Sequence, residues 1–430
     1  MRKIACVSAA ILMATFFPLT TATASSPSSG AVCPKAGSVS STATKKFVCI
    51  KSGKKLVWDR GTWIAKPAAA KAPTNSEVPT ATQSASPSPT PLAPVVQGSI
   101  TFANILDKVE SVAQVAYESA QKTYSSNTTP SGMKSTIWTG PTTVPVGTMT
   151  EDERIVKAMK FWSGYTQPHS IGLFFFNTQD EPLAEIAYDK WRADNKITNG
   201  QPASMMRNDC LSNNGPNAPT ASTEPLKDCG GANAGVIDSL GTGVGWFGIP
   251  TEARTRADTY RLGAIEIHEF THMVQKAQFV GTSQDPNGAQ QSISPCWLQE
   301  GQAHFAGKSV ASTSFNDYLQ QRNGEALNRT AANKLLAPRD LAGVSAYLTL
   351  ETLATCQSTY SWGYATGMLA VEALSAIGGA TSTMALYALE AKGNTFSDAF
   401  KLVYGISWDQ AQPILAQVIV KDYLVASMNR

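Results

Sequence analysis

A stretch dominated by Pro, Ala, Ser and Thr runs from residue 67 to residue 98 and divides the 430-residue chain. Such a composition buries too little apolar surface to form a packed core, and its prolines keep the backbone extended. The sequence on either side must therefore fold separately. We predict a linker over 67–98, a small module over 30–66 and one larger domain over 99–430.

The first residues have the pattern of an export signal. Arg2 and Lys3 precede a largely apolar run up to Leu19, and residues 22–24 form a small-x-small cleavage site. A membrane anchor is the alternative, but the run is short and contains a proline. We expect a signal peptide over 1–24 and a secreted, extracellular protein with no stable membrane insertion.

Export makes the cysteines informative. Of the seven cysteines, Cys6 lies in the predicted signal, which leaves an even number in an oxidising compartment and is typical of disulfides. Several pairings are open. We expect the sequential one, since short loops and the domain division favour its first two bridges. The expected pairs are Cys33–Cys49, Cys210–Cys229 and Cys296–Cys356.

The 30–66 module contains two short strand-like runs, 46–50 and 55–58, with a Ser-Gly turn between them. So few residues bury little core, which accounts for a disulfide there. The module resembles small Cys…Cys-Trp modules of secreted actinobacterial proteins, and this resemblance implies attachment to a cell wall or polymer through its lysines. A solvated basic face with a structural role is the reading we favour.

Charge and periodicity constrain the rest of the chain. The formal net charge of +3, with 16% charged residues, argues against a nucleic-acid binder, which would show clustered Lys and Arg. Periodicity predicts strands first and helices afterwards, which indicates an α+β fold. The predicted elements are helices over 105–124 and 151–162, strands over 171–176, 235–237 and 244–249, a long loop over 201–231 and a mostly helical region after 251.

The sequence His-Glu-Phe-Thr-His at 268–272 lies in an amphipathic helical pattern. Histidines four residues apart lie on one helix face, so His268 and His272 can bind one metal ion. Glu269 lies beside the first histidine, where a carboxylate can act as general base on an attacking water. The alternative is a pair of core histidines satisfied by backbone groups.

A catalytic zinc needs a third protein ligand and an open position. Metzincins would have Gly at 275 and His at 278, but both residues are Gln here. Thermolysin-like enzymes and zinc aminopeptidases would have a glutamate near 291 or 292, where this chain has Gln and Ser. The sequence Trp-Leu-Gln-Glu-Gly at 297–301 instead resembles the Trp-Leu-x-Glu-Gly helix of gluzincins, and implies Glu300 as the third ligand.

The gluzincin resemblance covers roughly residues 230–430, which we treat as the zinc-site core. It implies a zincin-like catalytic domain, with a small mixed sheet, the HExxH helix and a mostly helical C-terminal lobe. It also implies one Zn²⁺ ion and peptide hydrolysis by zinc-activated water, with Glu269 as general base. In similar enzymes the substrate lies along an edge strand beside the HExxH helix, and residues 244–249 are the candidate strand.

Gluzincins often carry Tyr-x-x-Gly before an apolar helix, and this tyrosine donates to the oxyanion of the tetrahedral intermediate. Tyr364 with Gly367 fits best, Tyr360 with Gly363 is the rival, and core aromatics are the alternative to both.

His304 lies one helical turn after Glu300. It either orients the metal ligands from behind or is a partly exposed histidine, and both readings stay open. His169 has no motif around it, and we expect it on the surface.

The resemblance therefore implies a secreted zinc metallopeptidase whose partner is a peptide or protein substrate. The chain lacks a Gly-x-Met-x-Asn segment, which in zinc aminopeptidases fixes the peptide N-terminus, so an endopeptidase is favoured. Two alternatives remain. One is an exported wall-binding protein with a non-catalytic metallopeptidase-like domain, and the other is a zinc hydrolase with a non-peptide substrate.

Overall fold

The chain separates into two compact units, Met1–Ser84 and Ala85–Arg430. The predicted signal peptide lies outside the residues that the computed structural model describes, and so does the predicted linker up to residue 97. The described residues are 32–36, 38–41, 45–52, 55–58, 62–63, 98–130, 132–144, 150–198, 202–210, 229–236, 241–250, 263–282, 294–332, 337–349 and 359–428.

The smaller unit contains a four-stranded antiparallel sheet. Its strands are β1 (Val39–Ser41), β2 (Lys45–Ser52), β3 (Lys55–Trp58) and β4 (Thr62–Trp63), and β2 pairs with each of the other three. Both predicted strands are confirmed. The Cys33–Cys49 disulfide packs with Phe47 and Trp58 to form the small core.

The larger unit is built on a second four-stranded sheet, formed by β5 (Lys134–Thr139), β6 (Ser170–Phe176), β7 (Ala232–Val236) and β8 (Thr242–Gly248). The strand order is β5–β6–β8–β7. Strands β5, β6 and β8 run parallel, and β7 pairs antiparallel with β8. The sheet is therefore mixed, as predicted, and among its described strands β7 lies at one edge.

Helices make up most of the remaining described residues of this unit. They are α1 (Val109–Ser126), α2 (Glu151–Phe161), α3 (Glu181–Asp194), α4 (Ala264–Ala277), α5 (Cys296–Ala311), α6 (Phe315–Ala332), α7 (Leu341–Tyr347), α8 (Thr366–Gly378), α9 (Ser382–Glu390), α10 (Phe396–Tyr404) and α11 (Trp408–Met428). Short 3-10 helices span Ile105–Asp107, Ala203–Cys210 and Tyr360–Tyr364.

Strand β6 is apolar along most of its length because helices cover both faces of the sheet. Phe174 packs in a T-shaped contact with Trp191 of α3, with ring centroids 5.8 Å apart. Phe175, on the opposite face, belongs to the main core with Phe270 of α4. The alternation of the strand thus places α3 on one side of the sheet and α4 on the other.

Helix α5 lies at the centre of the helical part and packs against both α4 and α8. Every residue of α5 except His304 is buried. This burial on all sides explains why α5 shows little amphipathic pattern in the sequence.

The α+β architecture is confirmed, two of the sequence predictions change in detail, and one strand was missed. The helix predicted from residue 105 begins as a 3-10 turn and becomes α1 at Val109. The loop predicted over 201–231 contains a 3-10 helix, Ala203–Cys210, before residues 211–228, which lie outside the described part. Strand β5 was not predicted, because the segment Lys134–Thr139 is short and mixes polar and apolar residues.

The Cys33–Cys49 and Cys210–Cys229 disulfides are present, as predicted. Cys296 is also disulfide-bonded, while Cys356 lies outside the described residues. Disulfides are typical of proteins that fold outside a reducing cytoplasm.

Within the described ranges, no single helix is long and apolar enough to cross a membrane. The bent pair α8 and α9 meets the length and composition criteria only jointly.

Candidate metal centre

Helix α4 is fixed against its neighbours by polar contacts on the side away from solvent. Gly263, which precedes it, has a left-handed backbone at φ 77°, and a Cβ there would lie 2.7 Å from the Arg154 side chain. Arg154 Nη1 donates to Glu266 Oε1 at 2.5 Å, and this buried ion pair joins α2 to α4. Trp162 Nε1 donates to Thr271 Oγ1 at 2.9 Å. These contacts fix the rotation of α4 about its axis.

Helix α5 approaches α4 closely enough to complete the site. A Cβ on Gly307 would lie 2.5 Å from the carbonyl oxygen of Ala264, so this crossing requires glycine. The crossing brings Glu300 of α5 to His268 and His272 of α4, and all three side chains are buried.

Three ligand-type atoms converge at this point. The Nε2 atoms of His268 and His272 lie 3.1 Å apart, and each lies 3.3 Å from Glu300 Oε2. In a tetrahedral zinc site with ligand bonds of about 2.0–2.1 Å, two ligand atoms lie about 3.3–3.4 Å apart. The triangle thus has the dimensions that a tetrahedral metal ion requires.

The surroundings of the buried Glu300 carboxylate also fit a bound cation. Glu300 Oε2 is buried and faces both imidazole Nε2 atoms at 3.3 Å. A buried carboxylate needs a positive charge or a hydrogen-bond donor beside it, and a cation at the centre of the triangle supplies that charge. The three side chains can therefore hold a divalent metal ion, and their donor set of two imidazoles and one carboxylate suits zinc and similar transition metals.

Gln275 sets the tautomer of His272. Its side-chain Nε2 donates to the carbonyl oxygen of Gln299 at 3.0 Å and to Gln302 Oε1 at 2.8 Å. Both amide hydrogens are therefore used, so the Gln275 oxygen, 2.9 Å from His272 Nδ1, must accept from that nitrogen. His272 Nδ1 therefore carries a hydrogen, and the second titrating position, a lone pair or an N–H, is Nε2, which faces Glu300.

Burial and neighbouring charges act in opposite directions on the three ligand-type groups. Burial alone would lower the pKa of His272, but the Glu300 carboxylate and hydrogen bonding outweigh it and raise this pKa to about 9. Burial alone would raise the pKa of Glu300, but His272 and His268 hold it well below its usual range. Burial lowers the pKa of His268. In the metal-free site a proton on His272 thus supplies the positive charge.

Glu269 lies beside the triangle, with Oε1 3.9 Å from His268 Nε2. Burial raises the pKa of Glu269 to about 7, Glu300 adds to that shift, and His272 and Lys276 oppose it. The carboxyl group can accordingly both accept and release a proton near neutral pH. This position is the one expected from the sequence.

The rings of His304 and Tyr364 lie against His268. His304 Nδ1 is 3.0 Å from His268 Nδ1, so His304 lies behind a ligand-type residue. Tyr364 is half-buried, with its ring centroid 4.7 Å from that of His304 and 5.9 Å from that of His268. The structure therefore brings Tyr364 to the site. The side chain of Tyr360 is not among the described side chains.

The turn that carries Tyr364 packs directly on Glu300. A Cβ on Gly363 would lie 2.6 Å from Glu300 Cβ, so the close contact requires glycine there. The buried hydroxyl of Tyr347 is near this turn, 3.5 Å from the same hypothetical Cβ. Burial and the Glu300 charge raise the pKa of Tyr347 well above its usual value.

Sequence reasoning missed Gln275, Lys276 and Glu325. Gln275 and Lys276 follow His272 by three and four residues, so helical spacing alone could have pointed to them. Burial lowers the pKa of Lys276 to about 8, although Glu269 and Glu300 act to raise it. Glu325 lies on α6, and no local pattern in the sequence connects it with the HExxH helix.

The prediction that residues 244–249 form the edge strand for the substrate was wrong. Residues 244–249 fall in β8 and just after it, and β8 lies inside the sheet between β6 and β7. The edge strand beside α4 is β7, Ala232–Val236. A Cβ on its Gly235 would lie 2.5 Å from Lys276 Nζ, so α4 and this edge are in close contact. His169, the fourth histidine, is exposed, as expected.

No known protein family, curated protein sequence or solved structure matches the chain.

Proposed function

We propose that this chain is a zinc-dependent metallopeptidase of the gluzincin type, with a zincin-like catalytic domain over residues 99–430. The observation that carries the proposal is the triangle of His268 Nε2, His272 Nε2 and Glu300 Oε2. Two imidazoles and one carboxylate are a ligand set of catalytic zinc sites and leave one position open. The order of these residues along the chain, HExxH followed by a Glu-Gly helix, supports the same assignment.

When bound, zinc would supply a Lewis acid that polarises a carbonyl group and lets water lose a proton near neutral pH. Glu269, whose Oε1 lies 3.9 Å from His268 Nε2, would take that proton and pass it to the leaving amine. Because burial raises its pKa to about 7, Glu269 can perform both transfers at neutral pH. The phenol of Tyr364 is our candidate donor to the developing oxyanion.

The edge of β7 is the surface on which we place the substrate backbone. Its antiparallel pairing with β8 uses one side of the strand, and an extended peptide could add to the other side by β-augmentation. An extended substrate lying across the site suits an endopeptidase. The two disulfides support export as part of the same proposal.

The test uses zinc-loaded residues 25–430 and the variant Glu269→Gln, which keeps the side-chain size and removes the base. Glu110→Gln, on the exposed face of α1, is the matched control. Each protein is incubated with a complex peptide library, and new termini are mapped by mass spectrometry.

The proposal predicts internal cuts by the wild type and by Glu110→Gln that disappear with a zinc chelator. Cleavage by Glu269→Gln should fall by about 10²-fold or more, the usual contribution of a general base. Identical maps from all three proteins, with zinc bound in each, would contradict the peptidase assignment. That result would favour the binding role or the non-peptide substrate.

A further inference from the structure

A chain of polar side chains extends from His268 away from the triangle. His268 Nδ1 lies 3.0 Å from His304 Nδ1. His304 Nε2 in turn faces Glu325 Oε2 at 3.5 Å, and Lys308 Nζ lies 3.4 Å from that same oxygen. The side chains of His304, Glu325 and Lys308 are only 12%, 16% and 5% exposed.

The contact between the two imidazoles allows only complementary protonation. A hydrogen bond between two Nδ1 atoms needs one N–H donor and one lone pair. If His304 Nδ1 is the acceptor, His268 Nδ1 carries the hydrogen and the His268 Nε2 lone pair faces Glu300. If the roles are reversed, a neutral His268 carries its hydrogen on Nε2, which faces Glu300 Oε2 at 3.3 Å, and the ring must lose that hydrogen before it can bind a metal.

The groups behind His304 favour the first arrangement, while the Glu300 carboxylate in front of His268, at 3.3 Å, favours a hydrogen on His268 Nε2 until a metal ion takes its place. A carboxylate only accepts hydrogen bonds, so Glu325 favours a hydrogen on His304 Nε2. A neutral imidazole then has its lone pair on Nδ1. A second positive charge on His304 is disfavoured, because Lys308 already balances the Glu325 carboxylate at 3.4 Å.

We propose that His304, held by the Glu325–Lys308 ion pair, is a positioning residue that fixes His268 in its Nδ1–H tautomer and so directs its Nε2 lone pair into the metal site. In many metal sites a carboxylate or carbonyl group contacts the ligand histidine directly. Here a second histidine stands between them. The inference rests on the proposed metal centre, but it does not depend on peptidase activity.

The tautomers can be read in the zinc-loaded protein by NMR of histidine labelled with ¹⁵N in the ring. The chain has only four histidines, so single variants assign each ring. The wild type is expected to show His268 as the Nδ1–H form and His304 as the Nε2–H form. His304→Leu should shift the His268 Nδ1–H signal, because that hydrogen loses its acceptor. His304→Asn keeps an acceptor oxygen near the position of Nδ1 and should preserve the Nδ1–H signal.

Zinc affinity, measured against a chelator, gives an independent readout. His304→Leu should bind zinc about 10–100-fold more weakly than wild type, the usual cost of removing a group that orients a metal ligand. His304→Asn should recover most of that loss. Glu325→Gln, which leaves both histidines intact, should redistribute the His304 tautomers and serves if His304→Leu does not fold.

Two results would overturn the inference. One is an Nδ1–H form of His304 in the zinc-loaded wild type. The other is a His304→Leu or Glu325→Gln protein with unchanged ring signals and unchanged zinc affinity. Loss of peptide cleavage in a protein that keeps the predicted tautomers would count against the proposed peptidase function alone.

Discussion

At the scale of single residues, burial acts on every ionisable group of the candidate metal centre, but the neighbours decide the outcome. Glu300 and Glu269 are both buried carboxyl groups. The pKa of Glu300 is held low because both histidines contact it, whereas the pKa of Glu269 rises to about 7 because burial dominates. One carboxyl group therefore suits a ligand and the other suits a proton carrier.

The proton on His272 leads to a prediction for zinc binding. Its pKa of about 9 in the metal-free site means that zinc must displace a proton at neutral pH. Zinc affinity should rise about tenfold per pH unit from pH 7 towards 9 and then level off. Competition with a chelator, measured at several pH values, tests this. An affinity that does not change over this range would show that His272 is already neutral.

Lys276 should influence the acid limb of the pH profile. Its ammonium group lowers the pKa of Glu269. Replacement by methionine should raise that pKa and shift the acid limb of kcat/KM for peptide cleavage to higher pH by about half a unit or more. The exposed Lys392→Met provides the control. A profile of Lys276→Met that superimposes on wild type would mean that the lysine does not act on the base.

The sequence predicts the residues that chemistry places at fixed spacing. Histidines four apart on a helix identify His268 and His272, and the Glu-Gly motif identifies Glu300, which the fold brings to them. The groups that set the tautomers could not be predicted in the same way. Glu325 reaches the site only through the packing of α6, which no local pattern encodes.

At the scale of elements, the crossing of α5 and α8 places the third ligand-type residue. A Cβ on Gly367 would lie 2.3 Å from the carbonyl oxygen of Trp297, and one on Gly301 would lie 2.3 Å from the backbone of Gly367. In the sequence, Gly367 stands out only as part of a Tyr-x-x-Gly motif. The structure gives it a packing role, because only glycine lets the two backbones approach so closely.

Gly367→Ala should therefore separate α5 from α8. We expect a loss of about 1–3 kcal/mol in the free energy of unfolding, as for other overpacked cores, together with weaker zinc binding because Glu300 moves. The matched variant Gly324→Ala, in α6, adds a Cβ that meets no atom within 4 Å. It should gain about 0.5–1 kcal/mol from helix propensity. Urea unfolding measures both. Equal stabilities of the two variants would contradict the packing role.

Sequence patterns predicted individual strands better than they predicted which strands lie side by side. The apolar run at 171–176 was correctly predicted as a buried strand, because covered faces impose a continuous apolar sequence. The edge position was assigned to the wrong strand. The sequence predicts a strand at β7 and at β8, and only the pairing in the folded sheet decides which of the two lies at the edge.

At the scale of the whole molecule, the larger unit contains the entire candidate site. The sheet, α4 and α5 all lie within it, and strands β5 and β6 share one sheet with β7 and β8. The described residues within 99–230 are thus part of the same fold as the candidate metal centre.

A chain of residues 98–430 is expected to fold and to bind zinc with the stoichiometry and affinity of the protein from residue 25. Size-exclusion chromatography and zinc titration of both chains test this. Aggregation of the shorter chain, or loss of its zinc binding, would mean that the smaller unit contributes to folding of the larger one.

The most direct test of the metal centre is zinc K-edge X-ray absorption on the purified protein, with metal content measured on the same sample. We predict one zinc per chain, bound by two imidazole nitrogens, one carboxylate oxygen and at least one further light atom. Glu300→Ala should lose the carboxylate ligand, and Glu110→Gln should give the wild-type spectrum. A spectrum unchanged by Glu300→Ala, or a zinc content near zero in the wild type, would contradict the metal centre.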